Sequence, residues 1–418
     1  MARTRFGLLG AHLTHSYSPM IHEYLGDYAY PLYEKAPEAV ADFVQNGPFD
    51  GLNVTIPYKK TVLPFCTRVS DAAQAIGSVN TLLRMPDGAL FGDNTDFYGF
   101  SRMVASCGVC PKGKKALVLG SGGASLTVQA VLGRLGAQVV VISRSGPDNY
   151  QNLARHRDAQ MIVNTTPVGM YPQVGASPVD LRRFPECQAV LDLIYNPAWT
   201  DLLLQARALG IACENGLTML VAQAKRAAEL FLEKEIDDGA ISDIGAQVRR
   251  RSMNLALIGM PGCGKSTVGR ALAQRMGREF VDLDAAIEAT AEMSIPELFK
   301  LRGEEAFRRL EHQTLTETAK KSGLVIATGG GVVTRPQNRA ALARNSVTVY
   351  LRRDPALLPT DGRPVSQRDG VLALYQARAP LYESWCDLVA ENCADSPEQA
   401  AQAVLNGWSD YFAGRRKK

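Results

Sequence analysis

The sequence has no long apolar run and no excess of one charge, and both absences exclude classes of protein. No segment reaches 18 uninterrupted apolar residues, so no transmembrane helix is expected. Residues 1–15 hold no apolar stretch typical of a signal peptide, and we expect a cytoplasmic protein. The 46 basic and 42 acidic residues give a net charge of +4, a balance that argues against nucleic acid as a partner.

The sequence is also sparing in cysteine. Eight cysteines in a chain without a secretion signal are expected to be reduced thiols. Cys107 and Cys110 form one CxxC pair, but no second pair with the spacing of zinc ligands accompanies it. We therefore interpret both as free thiols and predict no structural zinc.

Two glycine-rich loops organise the chain, each between a short apolar run and a helical pattern. The first, residues 120–124, follows the run at 116–119, and the second, residues 259–266, follows the run at 255–258. Strand, glycine turn and helix in this order bind phosphate groups in α/β proteins. The sequence therefore predicts an α/β protein with two phosphate-binding domains.

The composition between the loops predicts where the domains meet. A charged, weakly apolar stretch separates the loops, and the residues before the first loop carry strand and helix signals of their own. The predicted parts are an α/β lobe (1–100), a Rossmann-like dinucleotide-binding domain with a C-terminal helix (101–235), a linker (236–252) and a P-loop domain with a central parallel sheet (253–418).

The second glycine loop fits G-x-x-x-x-G-K-[ST] at every fixed position. In such a loop the backbone amides hold phosphate oxygens, Lys265 reaches the β- and γ-phosphates, and Ser266 joins the Mg²⁺ shell. Asp282 and Asp284 end the next predicted strand, where alternation would place both carboxylates on one face. One of them suits Mg²⁺ and the other an acceptor hydroxyl, whereas a solvated acidic turn is the competing interpretation.

Further motifs follow the P-loop, at residues 280–284, 307–311, 328–331, 362–364 and 378–382. Together they resemble shikimate kinase over residues 253–395. The resemblance implies that ATP, Mg²⁺ and shikimate are ligands, that Asp284 and Lys265 are catalytic, with Asp284 as the base, and that a lid covers ATP. The residues it implies are Gly262, Cys263, Gly264, Lys265, Ser266, Thr267 and the lid residue Arg363 for ATP, Ser266 and Asp282 for Mg²⁺, and Asp284, Arg308, Gly330 and Arg378 for shikimate.

Two arginines suit a carboxylate, so the implied role of Arg308 and Arg378 agrees with their chemistry. The lid segment, residues 354–368, is short. Between Arg353 and Arg363 it lacks the further arginine that the family usually carries. This departure concerns the affinity for ATP and the turnover.

The first glycine loop is followed by a second predicted strand, residues 138–142, and then by Arg144 between two serines. A cofactor with a free 2′-hydroxyl usually meets an acidic residue at this point. An arginine suits a 2′-phosphate, so NADP is favoured over NAD, while a solvated Arg144 is the competing interpretation. Residues 146–159 predict one short helix, which leaves the dinucleotide domain one β-α unit short near the adenosine.

The lobe before the first loop contains candidate substrate-binding and catalytic residues. Ser16 and Ser18 set two hydroxyls two residues apart, able to bind an anion together, and Lys59 follows a predicted strand. Motifs at residues 51–60, 77–81, 92–99, 164–170, 192–197 and 215–223 complete a pattern that resembles shikimate dehydrogenase over residues 5–232.

By that resemblance, Lys59 and Asp96 form the catalytic pair beside the reacting carbonyl, with Lys59 supplying a proton. Three hydroxyl residues would hold the substrate carboxylate and three further residues the ring hydroxyls. The carboxylate residues are Ser16, Ser18 and Thr55, and the ring-hydroxyl residues are Asn80, Tyr195 and Gln223. Lys59 and Asp96 would also contact the substrate. The implied cofactor residues are Gly120, Ser121, Gly122, Gly123, Ala124 and Arg144, with Leu193 and Gly216 bordering the nicotinamide.

The two resemblances imply consecutive reactions. NADPH reduces 3-dehydroshikimate to shikimate, which ATP and Mg²⁺ then convert to shikimate 3-phosphate on the way to aromatic amino acids. We expect small-molecule ligands, no nucleic acid and no membrane. The alternatives are a dehydrogenase that prefers quinate, and a protein in which one half is catalytically silent and senses a ligand.

Overall fold

The computed structural model describes residues 5–13, 16–359, 370–392 and 396–414. Its internal contacts divide the chain into two compact units. Unit 1 consists of residues 1–170, 176–195 and 202–248, and unit 2 of residues 171–175, 196–201 and 249–418. None of the described helices combines the length and the apolar composition that spanning a bilayer requires.

The first lobe of unit 1 is a mixed six-stranded sheet with three helices. Its elements are β1 (Phe6–Gly10), α1 (Ser18–His22), β2 (Leu32–Glu34), α2 (Pro37–Asn46), β3 (Gly51–Val54), β4 (Arg68–Val69), α3 (Asp71–Ile76), β5 (Thr81–Arg84) and β6 (Leu90–Asp93). The strand order is β2-β1-β3-β5-β6-β4, with β5 antiparallel to both neighbours. Helix α3 starts where the Ser70 side chain accepts from the Ala73 amide and ends at Gly77, whose φ of 70° is left-handed.

The second lobe of unit 1 is a parallel five-stranded sheet covered by helices. Its elements are α4 (Asp96–Cys107), β7 (Lys115–Leu119), α5 (Gly123–Arg134), β8 (Gln138–Ile142), β9 (Met161–Asn164), β10 (Ala189–Asp192), α6 (Asp201–Ala208), β11 (Ala212–Asn215), α7 (Leu217–Leu232) and α8 (Gly239–Ser252). The strand order is β11-β10-β9-β7-β8. Strands β9 and β10 are buried along their whole length, which explains their continuous apolar sequences.

This second sheet confirms the predicted shortening of the dinucleotide domain. The usual order of such a domain is 3-2-1-4-5-6. Here β8 holds the position of the second strand and is the edge of the sheet, in a stretch that is described throughout. The helix expected at residues 146–159 is only a 3-10 turn, Leu153–His156. The side chains of Asn149 and Asn152 bind carbonyls in the preceding turns, and such bonds compete with helix formation.

The segment predicted as a linker, residues 236–252, is largely a packed helix. In α8, Ile241, Ile244 and Val248 form an apolar stripe that joins a core cluster with Leu217 and Val221 of α7. The charged residues around this stripe hid it in the sequence. A linker is therefore the wrong description of residues 239–248, although the predicted domain limits themselves stay predictions.

Unit 2 is built on a second parallel sheet of five strands. Its elements are β12 (Asn254–Ile258), α9 (Lys265–Met276), β13 (Phe280–Asp282), α10 (Leu283–Ala291), α11 (Ile295–Lys320), β14 (Val325–Ala327), α12 (Pro336–Asn345), β15 (Ser346–Arg352), α13 (Val371–Trp385), β16 (Leu388–Glu391) and α14 (Pro397–Phe412). The strand order is β13-β14-β12-β15-β16. Helix α11 begins with a capping box between Ser294 and Glu297 and bends at Gly303, where φ is 77°.

Both glycine-rich loops lie where the strand order of their sheet reverses. Strand β7 lies between β8 and β9, and β12 lies between β14 and β15. In open parallel sheets, ligands bind at this point, beyond the carboxyl ends of the strands. The two predicted strand–turn–helix units are confirmed, since α5 and α9 follow directly.

Candidate active sites

A cavity of about 490 Å³ opens in unit 1, beyond the ends of β1 and β3 and against the start of α7. All eight predicted substrate residues line it, together with three predicted cofactor residues. The substrate residues are Ser16, Ser18, Thr55, Lys59, Asn80, Asp96, Tyr195 and Gln223, and the cofactor residues are Ala124, Leu193 and Gly216. The structure therefore brings together motifs that are spread over about half of the chain.

Lys59 and Asp96 form an ion pair in this cavity. Lys59 lies in the turn after β3, and Asp96 is the first residue of α4, directly beyond β6. The distance from Lys59 Nζ to Asp96 Oδ2 is 2.5 Å, with the lysine side chain 31% exposed and the aspartate 14%. An ammonium group held by a carboxylate beside an open cavity can stabilise a developing alkoxide and give it a proton.

Three hydroxyls form another part of the wall. Ser18 begins α1 and its amide donates to Ser16 Oγ at 3.2 Å, so the two serines share one turn. Thr55 follows β3 and its amide donates to the Leu9 carbonyl at 2.9 Å, which fixes it beside β1. Hydroxyls that converge in this way can donate together to a carboxylate.

Amide side chains and one phenol complete the wall. Asn80 is 2% exposed and Gln223 9%, so both turn a small face to the cavity. Burial raises the pKa of Tyr195 to about 12, with Tyr17 adding to the rise, so its hydroxyl stays neutral. Asn53 also lines the cavity and was missed by sequence reasoning. The signal was present: Asn53 is two residues before Thr55, and alternation along β3 points both to the same face.

The first glycine loop fits a dinucleotide phosphate. Gly120 has a φ of 105°, and a Cβ there would lie 2.8 Å from Thr165 Oγ1, so only glycine suits the turn. No atom lies within 4 Å of a Cβ built on Gly122 or Gly123, which leaves this face open beside the start of α5. Helix amino termini bind anions, and Ala124 leads from the loop into the cavity.

Arg144 does not line the cavity. It follows β8 and is exposed. The turn around it is fixed by the Gly146 amide, which donates to Ser143 Oγ at 2.8 Å, and by a hydrogen bond of 2.8 Å between His156 Nε2 and Asp148 Oδ1. An exposed arginine on a fixed turn at this end of the sheet fits an adenosine 2′-phosphate.

In unit 2, the P-loop holds its lysine against its own backbone. Lys265 is buried, and its Nζ donates to the carbonyls of Gly259 and Met260, at 2.9 Å each. Gly262 and Gly264 have φ values of 80° and 97°, a conformation that favours glycine. The other predicted ATP residues, Cys263, Ser266 and Thr267, continue this loop into α9.

Asn392 is a further residue at the P-loop. Its Nδ2 donates to the Cys263 carbonyl at 2.7 Å, and it lies just after β16. Sequence reasoning missed it because no motif connects it to the loop in the chain.

Ser266 and Asp282 offer the oxygen donors that Mg²⁺ prefers, a hydroxyl and a carboxylate. Across the described residues, no group of three or more histidine, cysteine, aspartate or glutamate side chains could hold a metal. One carboxylate and one hydroxyl fit Mg²⁺ that is bound mainly through phosphate oxygens. Asp284 lies in the first turn of α10 and not on β13, because Asp282 caps the helix by accepting from the Asp284 amide. The expectation of two carboxylates on one strand face was wrong.

Three consecutive glycines gather the predicted acceptor site. A Cβ on Gly329 would lie 2.9 Å from Asp284 Oδ1 and 2.7 Å from Glu311 Oε1, and one on Gly330 would lie 2.5 Å from Pro261 of the P-loop. A Cβ on Gly331 would collide with the Arg308 guanidinium. A side chain at Gly330 would meet the rigid ring and backbone of Pro261, whereas one at Gly329 or Gly331 would displace the functional ends of Asp284, Glu311 or Arg308.

Hydrogen bonds fix the two arginines of this site. Arg308 Nη1 donates to Glu311 Oε2 at 2.8 Å, and Arg378 Nη1 donates to the Gly330 carbonyl at 3.3 Å. Burial raises the pKa of Asp284, against the opposing effect of the Lys265 and Arg308 charges. Asp284, Arg308, Gly330 and Arg378 thus meet around one loop. Glu311 was missed, although it ends the motif that contains Arg308.

The predicted lid residue Arg363 lies outside the described residues. So does most of the segment predicted as the lid, because the description stops at residue 359 and resumes at residue 370.

Comparison with known proteins assigns both units. The family model "Shikimate dehydrogenase substrate binding domain" matches residues 8–82, and the model "Shikimate kinase" matches residues 261–408. A shikimate dehydrogenase (NADP(+)) of Oleidesulfovibrio alaskensis is 41% identical over 258 residues, 56% of this chain and 91% of that protein. A shikimate dehydrogenase (NADP(+)) of Thermus thermophilus is 38% identical over 54% of this chain and 92% of that protein.

Solved structures agree with these sequence matches. A chorismate mutase/shikimate 5-dehydrogenase fusion from Clostridium acetobutylicum is 35% identical with a TM-score of 0.56, over 59% of this chain and 97% of that chain. The Thermus thermophilus shikimate 5-dehydrogenase in complex with NADP(H) and shikimate is 33% identical, with a TM-score of 0.53, over 58% of this chain and 99% of that chain. A quinate dehydrogenase from Corynebacterium glutamicum in complex with NAD is 28% identical, with a TM-score of 0.54, over 59% and 98%. The chain therefore belongs to the shikimate dehydrogenase family and carries a shikimate kinase domain in its carboxyl-terminal part.

Proposed function

We propose that this chain reduces 3-dehydroshikimate to shikimate with NADPH and then phosphorylates shikimate on its 3-hydroxyl with ATP. The observation that carries the proposal is that one cavity in unit 1 collects the Lys59–Asp96 pair, three hydroxyls and the amides. Unit 2 supports the second step with Asp284, Arg308 and Arg378 around one glycine loop. The product of the first reaction is the substrate of the second.

In the reduction, different residues of the cavity wall bind different groups of the substrate. Ser16, Ser18 and Thr55 bind the substrate carboxylate, and the amides bind the ring oxygens, so the ketone is placed beside Lys59. NADPH, when bound along the first glycine loop, supplies the hydride. Lys59 gives its proton to the ketone oxygen as negative charge develops there, and Asp96 orients Lys59 and stabilises its charge before the transfer.

In the phosphorylation, Arg308 and Arg378 bind the carboxylate of shikimate, and Asp284 accepts the proton of the attacking hydroxyl. A buried carboxylate with a raised pKa is a stronger base than an exposed one, which suits this role. Lys265 exchanges the carbonyls of its own loop for phosphate oxygens of ATP. Ser266 and Asp282 would hold Mg²⁺, which would supply positive charge at the transferred phosphoryl group.

Two separate assays test the proposal. 3-Dehydroshikimate with NADPH should give shikimate, and shikimate with ATP and Mg²⁺ should give shikimate 3-phosphate and ADP. Failure of one reaction in a folded protein would contradict the assignment of that unit and leave the other standing.

A preference for quinate is the second candidate for unit 1, and the similarity to a quinate dehydrogenase in complex with NAD favours testing it. Oxidation of quinate with NAD and of shikimate with NADP should be compared at equal concentrations. Our proposal expects a higher kcat/KM for shikimate with NADP, and the reverse ranking would establish the quinate enzyme.

A further inference from the structure

Two threonines lie behind the amide wall of the unit 1 cavity. Thr81 begins β5 and Thr95 immediately precedes α4, and each is only 1% exposed. Their hydroxyl oxygens are 3.2 Å apart. Neither hydroxyl is needed for packing, since valine has the same shape, and a buried hydroxyl costs free energy unless it is hydrogen-bonded. Their partners therefore indicate what they do.

One backbone group fixes the orientation of Asn80. The Thr95 amide lies 2.7 Å from the Asn80 side chain, and because a backbone N–H can only donate, the atom it meets is Oδ1. The Thr81 hydroxyl donates to the same oxygen at 3.1 Å, and the Thr95 hydroxyl lies 3.2 Å from it. The oxygen of Asn80 is thereby used inside the protein. Its NH₂ group remains for the ligand.

The same logic extends to the next amide. A hydroxyl has one proton, so Thr81, which donates to Asn80, must accept from Asn53 Nδ2 at 3.1 Å. The oxygen of Asn53 accepts from the Tyr30 hydroxyl at 2.6 Å. Asn53 therefore has its oxygen occupied and one N–H left for the cavity.

Gln223 is oriented from the other side. Its Oε1 lies 3.5 Å from the Thr95 hydroxyl, which can donate to it because Thr81 already serves Asn80. Its Nε2 donates to the Leu220 carbonyl at 2.9 Å and keeps a second N–H. All three amides thus use their oxygens internally.

We propose that Thr81 and Thr95 are positioning residues that make the amide wall a surface of hydrogen-bond donors only. Asn53, Asn80 and Gln223 would each present an N–H group, so the ligand groups that face them must accept, as the oxygens of a polyhydroxylated acid do. This inference rests on the proposed reduction and adds the feature that selects the substrate. Without the threonine hydroxyls, the amides can rotate and present oxygens in place of donors.

Steady-state kinetics of Thr81→Val and Thr95→Val tests the inference. We expect each variant to raise the KM for 3-dehydroshikimate about tenfold, the cost of roughly one hydrogen bond. The kcat and the KM for NADPH should change less than about threefold, because the hydroxyls of both threonines bond to amide side chains and to each other, and not to the side chains of Lys59 and Asp96. In the double variant, the KM for 3-dehydroshikimate should rise by less than the product of the two single increases, because both residues belong to one hydrogen-bond network.

The serine variants Thr81→Ser and Thr95→Ser keep the hydroxyl and should restore the KM. Thr348→Val removes a threonine that is 3% exposed in β15 of unit 2, and it should leave reduction unchanged. The thermal unfolding midpoint and the KM for NADPH of each variant show whether unit 1 is folded, and phosphorylation of shikimate shows the same for unit 2.

Unchanged KM values in both valine variants would overturn the inference, as would serine variants that are as impaired as the valine ones. A parallel fall of kcat and of NADPH affinity would also overturn it, because it would indicate a general structural role. Wild-type protein that does not reduce 3-dehydroshikimate would instead overturn the proposed function, and this inference with it.

Discussion

The two lysines to which we assign catalytic roles, Lys59 and Lys265, are held in opposite ways. Lys59 is partly exposed and bonded to a carboxylate, Asp96, at 2.5 Å. Lys265 is buried and bonded to two carbonyl oxygens of its own loop. A carboxylate orients the ammonium group and balances its charge, as an acid in catalysis requires. Neutral carbonyls leave the positive charge uncompensated, as a ligand for phosphates requires.

The carboxylates to which we assign catalytic roles also differ. Asp96 has Lys59 as its partner, whereas burial raises the pKa of Asp284. Under the proposed function, the same residue types would serve as a proton donor with its orienting group in unit 1, and as a phosphate ligand with a separate base in unit 2.

Crosswise substitution of the lysines should have the largest effect. Lys59→Ala should lower the kcat for reduction by about 10²- to 10⁴-fold and leave phosphorylation intact, while Lys265→Ala should do the reverse. Both reactions are measured on each variant. Lys60→Ala, an exposed neighbour of Lys59, is the control and should change neither reaction. Loss of both activities from one substitution in a folded protein would contradict the separation of the two sites.

Asp284→Asn should remove the base of the kinase site and lower the kcat for phosphorylation by about 10²-fold or more. Since burial raises the pKa of Asp284, this group loses its proton at a higher pH than the ordinary value of 3.8. Phosphorylation by the unsubstituted protein should therefore fall, as pH decreases, through a midpoint above that value. The residual activity of Asp284→Asn should lack this acidic limb.

Asp282→Asn is the matched variant, because asparagine can still cap α10. It should raise the Mg²⁺ concentration needed for half-maximal activity and keep the acidic limb. If both variants shift the Mg²⁺ requirement and neither alters the pH profile, the division of roles between these carboxylates is wrong.

Arg308→Lys and Arg378→Lys should each raise the KM for shikimate about 10- to 100-fold, because lysine cannot make the paired bonds of a guanidinium to a carboxylate. Reduction should be unaffected. Arg309→Lys, whose side chain is 62% exposed on the same helix as Arg308, provides the control. Equal effects of Arg309→Lys and Arg308→Lys would point to the stability of α11 and not to substrate binding.

Arg144→Ala should have the smallest effect, a rise of about tenfold or less in the KM for NADPH at an exposed position. The KM for NADH should stay the same, since NADH has no 2′-phosphate. Arg155→Ala, another exposed arginine in this region, should change neither value. An equal rise for both cofactors would refute the assignment of Arg144 to the 2′-phosphate.

Most of the unit 1 cavity could be predicted because its residues lie in short motifs at strand ends, and parallel strands bring their carboxyl ends together. Asn53 was missed because it looked like part of a strand. The position of Asp284 was predicted wrongly. The sequence does not show that Asp282 caps a helix, so the residues after it looked like a continuation of the strand. The missing strand beside β8 was predictable because the interval between Arg144 and Asn164 is shorter than the one that the shikimate dehydrogenase family normally has there.

Partners far apart in sequence could not be predicted. Asn392 reaches the P-loop 129 residues away, and Thr95 meets Gln223 128 residues away. Helix α8 escaped prediction for a different reason, since three apolar residues in a charged segment reveal a helix only once α7 is there to cover them.

The central claim is that the two sites act in sequence, and one reaction mixture tests it most directly. Protein is supplied with 3-dehydroshikimate, NADPH, ATP and Mg²⁺, and the products are identified by mass spectrometry over time. The account predicts shikimate as a transient and shikimate 3-phosphate as the final product. With Lys265→Ala it predicts that shikimate accumulates. Phosphorylated 3-dehydroshikimate, or no shikimate at any time, would contradict it.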